Sequence, residues 1–235
     1  MPTEDFPANP PEKKGCLPVF NDEFDSGILD EKKWLPYYLP QWSSRKNSKA
    51  RYCFRGNNLV LQITADQKPW CPEFNGGVKV SGLQTGVFSG PAGSPAGQHC
   101  FSKDCAVREF QQEKKLFTPQ YGYTEIRCKG SPDPENVCAF WMIGFEDKPE
   151  HSAEICIFEL KGGNAGKCSS IIGYGIHPFG DPEIHDEFFE QEFPINAADF
   201  HIYGADWTPG GQPSISITRR YILQNKAPPT LCSIC

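Results

Sequence analysis

Two glutamates in the segment Glu154-Ile155-Cys156-Ile157-Phe158-Glu159 are the residues of this chain best suited to chemistry. The segment reads as a β-strand, and strand side chains alternate between faces, so Glu154 and Cys156 share one face while a regular strand sends Glu159 to the other. One extra residue, a bulge, returns Glu159 to the first face. Two carboxyl groups so placed can hold different protonation states. One stays neutral to protonate a leaving oxygen, and the other stays ionised to attack or stabilise a sugar carbon. A retaining mechanism needs the two carboxyl groups roughly 5 to 5.5 Å apart, which one bulged strand can provide. Taken alone, the same spacing also describes a solvated strand face, because charged side chains are mostly exposed.

The surroundings narrow the choice. Ten residues earlier lies the apolar run Val137-Cys138-Ala139-Phe140-Trp141-Met142-Ile143-Gly144, and the polar stretch 145–153 joins it to the acidic segment. Two strands and a connecting loop are the simplest reading. Further strand candidates are Asn58–Ile63, Leu83–Phe88, Gln112–Phe117, Tyr123–Cys128 and Ser214–Thr218. Within them, Leu59, Leu61 and Ile63 share one face, as do Ile215 and Ile217. Glycine and proline number 22 each, and the apolar runs are short, so the chain reads as many strands joined by turns. Helical periodicity is faint. This pattern predicts an all-β fold of two packed antiparallel sheets.

Composition excludes some functions. At 235 residues and 38% hydrophobic content, one domain with a sizeable core is expected over residues 16–235. Residues 1–15, rich in Pro, Glu and Lys, read as a disordered or loosely attached arm. The net charge of −6 and the lack of a basic stripe argue against nucleic acid as partner. No apolar run is long enough to span a membrane, and no internal repeat is present. A neutral polysaccharide fits this charge better.

The motifs, taken together, resemble family 16 of the glycoside hydrolases, which contains laminarinases and lichenases. The resemblance rests on Phe140–Gly144, on Glu154–Glu159, on Gly175-Ile176-His177-Pro178 and on Phe200-His201-Ile202-Tyr203-Gly204-Ala205-Asp206-Trp207-Thr208-Pro209. An opening Phe20-Asn21-Asp22-Glu23-Phe24-Asp25, with Trp34 nearby, is similar to the family's start. The resemblance implies a concanavalin-like jelly roll with a cleft on its concave sheet, and residues 89–105 are the longest loop available to wall it. It also implies Glu154 as nucleophile and Glu159 as acid/base of a retaining endo-β-glucanase on β-1,3 or mixed β-1,3/1,4 glucan. A non-catalytic glucan-binding module and a transglycosylase are the alternatives on the same fold, because function resides in the site.

Two positions depart from the family pattern. Where the family carries an aspartate between the glutamates, this chain has Cys156, and a thiol with a pKa of roughly 8.5 is a weaker donor. After Thr208-Pro209, the segment Ile217-Thr218-Arg219-Arg220 lacks the family's Asp-Gly, and Pro229–Ile234 reads as the beginning of a penultimate or final strand. An open sheet edge there would invite aggregation.

Aromatic rings are the usual sugar platforms, since a flat π-face covers the apolar side of a pyranose. Trp141 is the foremost candidate, because the resemblance matches it to a cleft tryptophan. Tyr38 and Trp42 are further substrate-binding candidates, with Trp70, Tyr121 and Phe145 behind them; each also fits ordinary packing. The resemblance places His177 on the strand next to the acidic one, near the acid/base. No cofactor or metal is expected, and a monomer is the simplest state.

Eleven cysteines favour an oxidising, secreted or cell-wall setting, although the first fifteen residues lack the apolar core of a signal peptide; a cytoplasmic protein with free thiols is the alternative. Cys100 and Cys105 bracket a short loop and are candidates for a local bridge. Cys138 and Cys156 read as buried thiols. The closing Cys232-Ser233-Ile234-Cys235 has half-site spacing but no second pair to complete four zinc ligands. A cysteine nucleophile at Cys156 lacks a marked base and orienter.

Overall fold

The structure is a computed structural model, and it describes residue 5 and residues 7–9, 13–148, 151–210 and 214–217. The described residues gather into two compact units, one drawn from those within 5–17, 119–142 and 153–217, the other from those within 18–118 and 143–152.

The first unit is built on two antiparallel sheets. One contains β5 (Gly122–Cys128), β10 (His201–Trp207) and β11 (Ser214–Ile217) in the order β11-β10-β5. The other runs β6 (Val137–Ile143), β7 (Glu154–Lys161), β8 (Ser170–His177) and β9 (Glu187–Phe193), each beside the next. Their inner faces form the core. Ile155, Ile157, Phe158 and Leu160 of β7 and Ile172, Tyr174 and Ile176 of β8 are all buried. Phe158 packs on Tyr203 of β10 at a ring separation of 4.1 Å. Ile215 and Ile217 are buried on one face of β11, as their alternation predicts. Burying side chains of this size contributes about 1.5 to 3 kcal/mol each. Among the described residues of 1–15, Asp5 accepts from the Phe200 N–H, Asn9 donates to Glu125, and Lys13 pairs with Glu125 at 3.0 Å.

The second unit holds the hairpin of β1 (Tyr52–Arg55) and β2 (Asn58–Leu61), the short pair β3 (Gly86–Val87) and β4 (Lys114–Lys115), and two single-turn helices, α1 (Arg45–Ser48) and α2 (Pro72–Asn75). The opening motif forms an aromatic cluster here. Phe20 and Phe24 lie 5.3 and 5.8 Å from the Trp34 ring, whose indole N–H donates to Asp22. Residues 89–105 form an irregular loop pinned by a Ser89–Gly97 bridge.

Several expectations are corrected. The Leu59, Leu61, Ile63 face is not a core face: Leu61 and Ile63 are exposed, and among the described residues β1 and β2 form a sheet of their own. Leu83–Phe88 and Gln112–Phe117 shorten to the two-residue strands β3 and β4. Cys100 and Cys105 are free thiols joined by a hydrogen bond, not a disulfide. Cys156 is buried as expected, whereas Cys138 is only half-buried and accepts from the Ser131 N–H. The nine cysteines among the described residues are all free. Thr218, Pro229–Ile234 and the terminal Cys232–Cys235 lie outside the described residues. No described helix is long and apolar enough to cross a membrane.

Candidate active site

The apolar residues of β7 dictate its shape. Positions 155, 157, 158 and 160 are all apolar, and a regular strand would send 155 and 157 to one face and 158 and 160 to the other. The chain forms a bulge instead. Glu154, Ile155 and Cys156 pair with His177, Ile176 and Gly175 of β8, the register then shifts, and Glu159 pairs with Gly173. Three steps along β7 oppose two along β8, so Glu159 returns to the face of Glu154 and Cys156. The bulge read from the sequence is therefore present, and both carboxylates stand on one side of the sheet. Cys156 helps to hold it, because the Phe158 N–H bonds to the Cys156 sulfur.

The pairing of β8 with β9 extends this face. Gly175 is opposite Phe188, and Gly173 is opposite Glu190. Three rows result: Glu154 with His177, Cys156 with Gly175 and Phe188, and Glu159 with Gly173 and Glu190. The two glycines keep the centre of the face low. A Cβ on Gly175 would lie 2.1 Å from the Glu187 carbonyl oxygen, and one on Gly173 would lie 2.5 Å from the tip of the Phe188 ring.

Glu154 is 8% exposed, and burial, with the nearby charge of Glu159 adding to it, pushes its carboxyl up to about 8. The thiol of Cys156 donates to Glu154 and opposes that rise. Burial and the two flanking carboxylates push the Cys156 thiol far up, so it stays neutral and acts as a donor. Burial and the neighbouring charge thus favour the protonated form of Glu154. Like charges that share a low-dielectric face cannot both ionise easily.

His177 stands across from Glu154 with its Nδ1 3.0 Å from the Asp186 carboxylate, and its ring stacks on Phe188 at 4.6 Å and 24°. The structure thus sets Glu154, Cys156 and Glu159 on one face, and it corrects the place of His177, which pairs with Glu154 rather than lying beside Glu159. Trp141 lies on the adjoining strand β6, 8% exposed. Trp42, by contrast, belongs to the core of the second unit. It is completely buried and donates to the Gln98 carbonyl oxygen, so its ring offers a ligand no surface. Tyr38, in the same unit, is half-buried with its ring edge-on to Trp70. Trp70 and Phe145 are core residues as well, and Tyr121 packs on Trp207 at 4.7 Å. Sequence reasoning missed Phe188 and Asp186, whose signal is the alternation of Phe188 and Glu190 on one face of β9 with Asp186 two residues before Phe188.

No protein-family model matches the chain, and no curated protein matches it. Solved structures do. Over 98% of its length the chain is similar to the GlcNAcα1-4Gal-releasing endo-β-galactosidase of Clostridium perfringens, at 31% identity and a TM-score of 0.82. The chain spans 57% of that protein. A Bacteroides ovatus mixed linkage glucan PUL GH16 protein, in complex with a G4G4G3G product, is similar over 92% of this chain and 84% of its own, at 17% identity and a TM-score of 0.58. The laminarinase of Flavobacterium sp. UMI-01 is similar over 92% of this chain and 85% of its own, at 16% identity and a TM-score of 0.57. The chain thus has the antiparallel β jelly-roll fold of those structures.

Proposed function

We propose that this family 16-like chain is a retaining endo-β-glycosidase that cleaves internal β-bonds of a galactose-containing glycan. The observation that carries the reading is the β7 bulge, which places Glu154 and Glu159 on one face beside a thiol donor and a histidine. The likeness to an endo-β-galactosidase at 31% identity supports the galactosyl preference. Internal bonds of β-1,3 or mixed β-1,3/1,4 glucan are the second substrate reading, supported by the sequence motifs.

In this mechanism Glu159 donates its proton to the glycosidic oxygen as that bond breaks, while the ionised Glu154 attacks the anomeric carbon and forms a glycosyl ester. Glu159, now a carboxylate, takes a proton from water, whose oxygen displaces Glu154 and regenerates both groups. Glu154 has to lose its proton for the first step. Entry of substrate brings hydroxyl groups to Glu154, and hydrogen bonds from them favour its ionised form.

The test is product analysis on glycans carrying GlcNAcα1-4Galβ ends, on laminarin and on mixed-linkage glucan. Release of β-configured oligosaccharides, abolished in Glu154→Gln, supports the proposal. Failure of folded protein to cleave any of the three counts against it, and binding without cleavage points instead to a lectin-like module. Transfer of sugar to an added acceptor in preference to water identifies a transglycosylase.

A further inference from the structure

Phe188 occupies an unusual place on the candidate face. Its ring is half-buried, one side stacks on His177 at 4.6 Å, and its tip hangs over Gly173. A Cβ at Gly173 would sit 2.5 Å from Phe188 Cζ and 3.3 Å from the Glu159 Cβ. The ring tip and Glu159 therefore flank the same cleared spot. A larger residue at position 173 would displace one or the other, so the glycine permits this approach. Beside it, Glu190 forms a 2.7 Å pair with Lys161, which supplies hydrogen-bonding groups at the edge of the aromatic surface.

A partly exposed ring next to a proton donor, rimmed by polar groups, has the make-up of a sugar subsite. We propose that Phe188 is the platform for the pyranose on the leaving-group side of the scissile bond. Glu159 protonates the oxygen that links this sugar to the reacting one, and the sugar's apolar face lies on Phe188. Its hydroxyls reach the Glu190–Lys161 pair. This inference rests on the glycosidase reading of Glu154 and Glu159, and it names a specificity residue that neither the motifs nor the comparisons assign.

The experiment compares the wild type with Phe188→Leu, which keeps apolar volume over Gly173, and with Phe188→Tyr, which keeps the ring; thermal melting confirms that both fold. Two substrates share one glycone, an oligosaccharide with a sugar leaving group and the corresponding β-glycosyl fluoride. The fluoride places no sugar on Phe188. The expected result is about a tenfold loss of kcat/KM for Phe188→Leu on the oligosaccharide, no more than twofold on the fluoride, and recovery in Phe188→Tyr. Equal losses on both substrates, or no loss on either, overturn the platform. Calorimetric titration with tetrasaccharides from galactan, laminarin and mixed-linkage glucan decides the matter even without turnover. An affinity about tenfold weaker in Phe188→Leu supports the platform. Equal affinity in the two chains, or no binding by the wild type, overturns it. Binding that responds to Phe188 without any cleavage counts against the hydrolase reading alone.

Discussion

The thiol of Cys156 donates a hydrogen bond to the carboxylate of Glu154, its neighbour on the same face of β7. A thiol is a weak donor, so the bond only partly offsets the burial and the Glu159 charge that lift Glu154 to about 8. The nucleophile of the proposed mechanism is thereby held mostly protonated at neutral pH. Its ionised form becomes abundant as the pH rises toward 8.

A stronger donor at this position should shift the balance. In Cys156→Asp the new carboxyl, kept neutral by two acidic neighbours, donates an O–H bond to ionised Glu154 and lowers its pKa. The acidic limb of the kcat/KM profile is expected to move down by about one pH unit, with activity at pH 6 rising up to about tenfold. Cys156→Ala should move the limb the other way. A profile that stays in place in both variants would show that Cys156 does not set the ionisation of Glu154.

Stability and activity should part company at Glu154. Its folded-state pKa, about 8, lies above the ordinary carboxylate value, so folded protein keeps a proton that the unfolded chain gives up. The contribution is fully present below about pH 4.5 and is lost progressively as the pH rises to about 8. Glu154→Gln removes this loss. It should stabilise the fold at pH 7 to 8 by a few kcal/mol while reducing turnover about a thousandfold or more. Urea titrations at pH 4 and pH 8 check it: the two chains should differ little at the lower pH and clearly at the higher, and a stability difference independent of pH would contradict the burial argument.

The bulge was legible because two glutamates five positions apart share a strand face only if one extra residue is inserted between them. Strand β9 was not. Glu187-Phe188-Phe189-Glu190-Gln191-Glu192-Phe193 is acidic and apolar by turns, and both of its faces are occupied. Phe189 and Phe193 pack on Tyr174, whereas Phe188 and Glu190 stand on the candidate face. Nothing local separates these two phenylalanine environments; the cross-strand partners on β8 do. Trp42 shows the same limit. Its residue type fits both a sugar platform and a core, and the choice comes from Gln98, 56 residues away, whose carbonyl accepts the indole N–H. The Leu59, Leu61, Ile63 alternation misleads for a related reason, since period two marks a strand without naming what covers its face.

Asp186 should act through His177. A carboxylate on Nδ1 fixes which ring nitrogen carries the proton. Asp186→Asn keeps the size but weakens the bond. A two- to tenfold fall in kcat is expected, on the order of 1 kcal/mol, with KM nearly unchanged and Asp186→Glu partly restoring the rate. NMR of the His177 ring nitrogens provides the independent readout. An unaltered tautomer population in Asp186→Asn would exclude this positioning role.

A last prediction concerns Glu146, in the second unit. Burial lifts its carboxyl to about 7, and it accepts a 2.6 Å bond from the His99 N–H, which lowers it in part. Both residues hold left-handed backbone conformations, with φ of 57° for Glu146 and 51° for His99, so this contact joins two strained turns. Stability from the protonated carboxyl is present below about pH 4.5 and fades as the pH approaches 7. Glu146→Gln keeps an oxygen acceptor for the His99 N–H without the buried charge, and should raise stability at pH 8 by about 1 to 3 kcal/mol with no gain at pH 4. Glu146→Ala, which leaves that N–H without its acceptor, should lose stability at pH 4. Hydrogen exchange at the His99 amide reads the contact directly: protection should persist in Glu146→Gln and disappear in Glu146→Ala, and equal protection in the two variants would show that the turns are held together by other bonds.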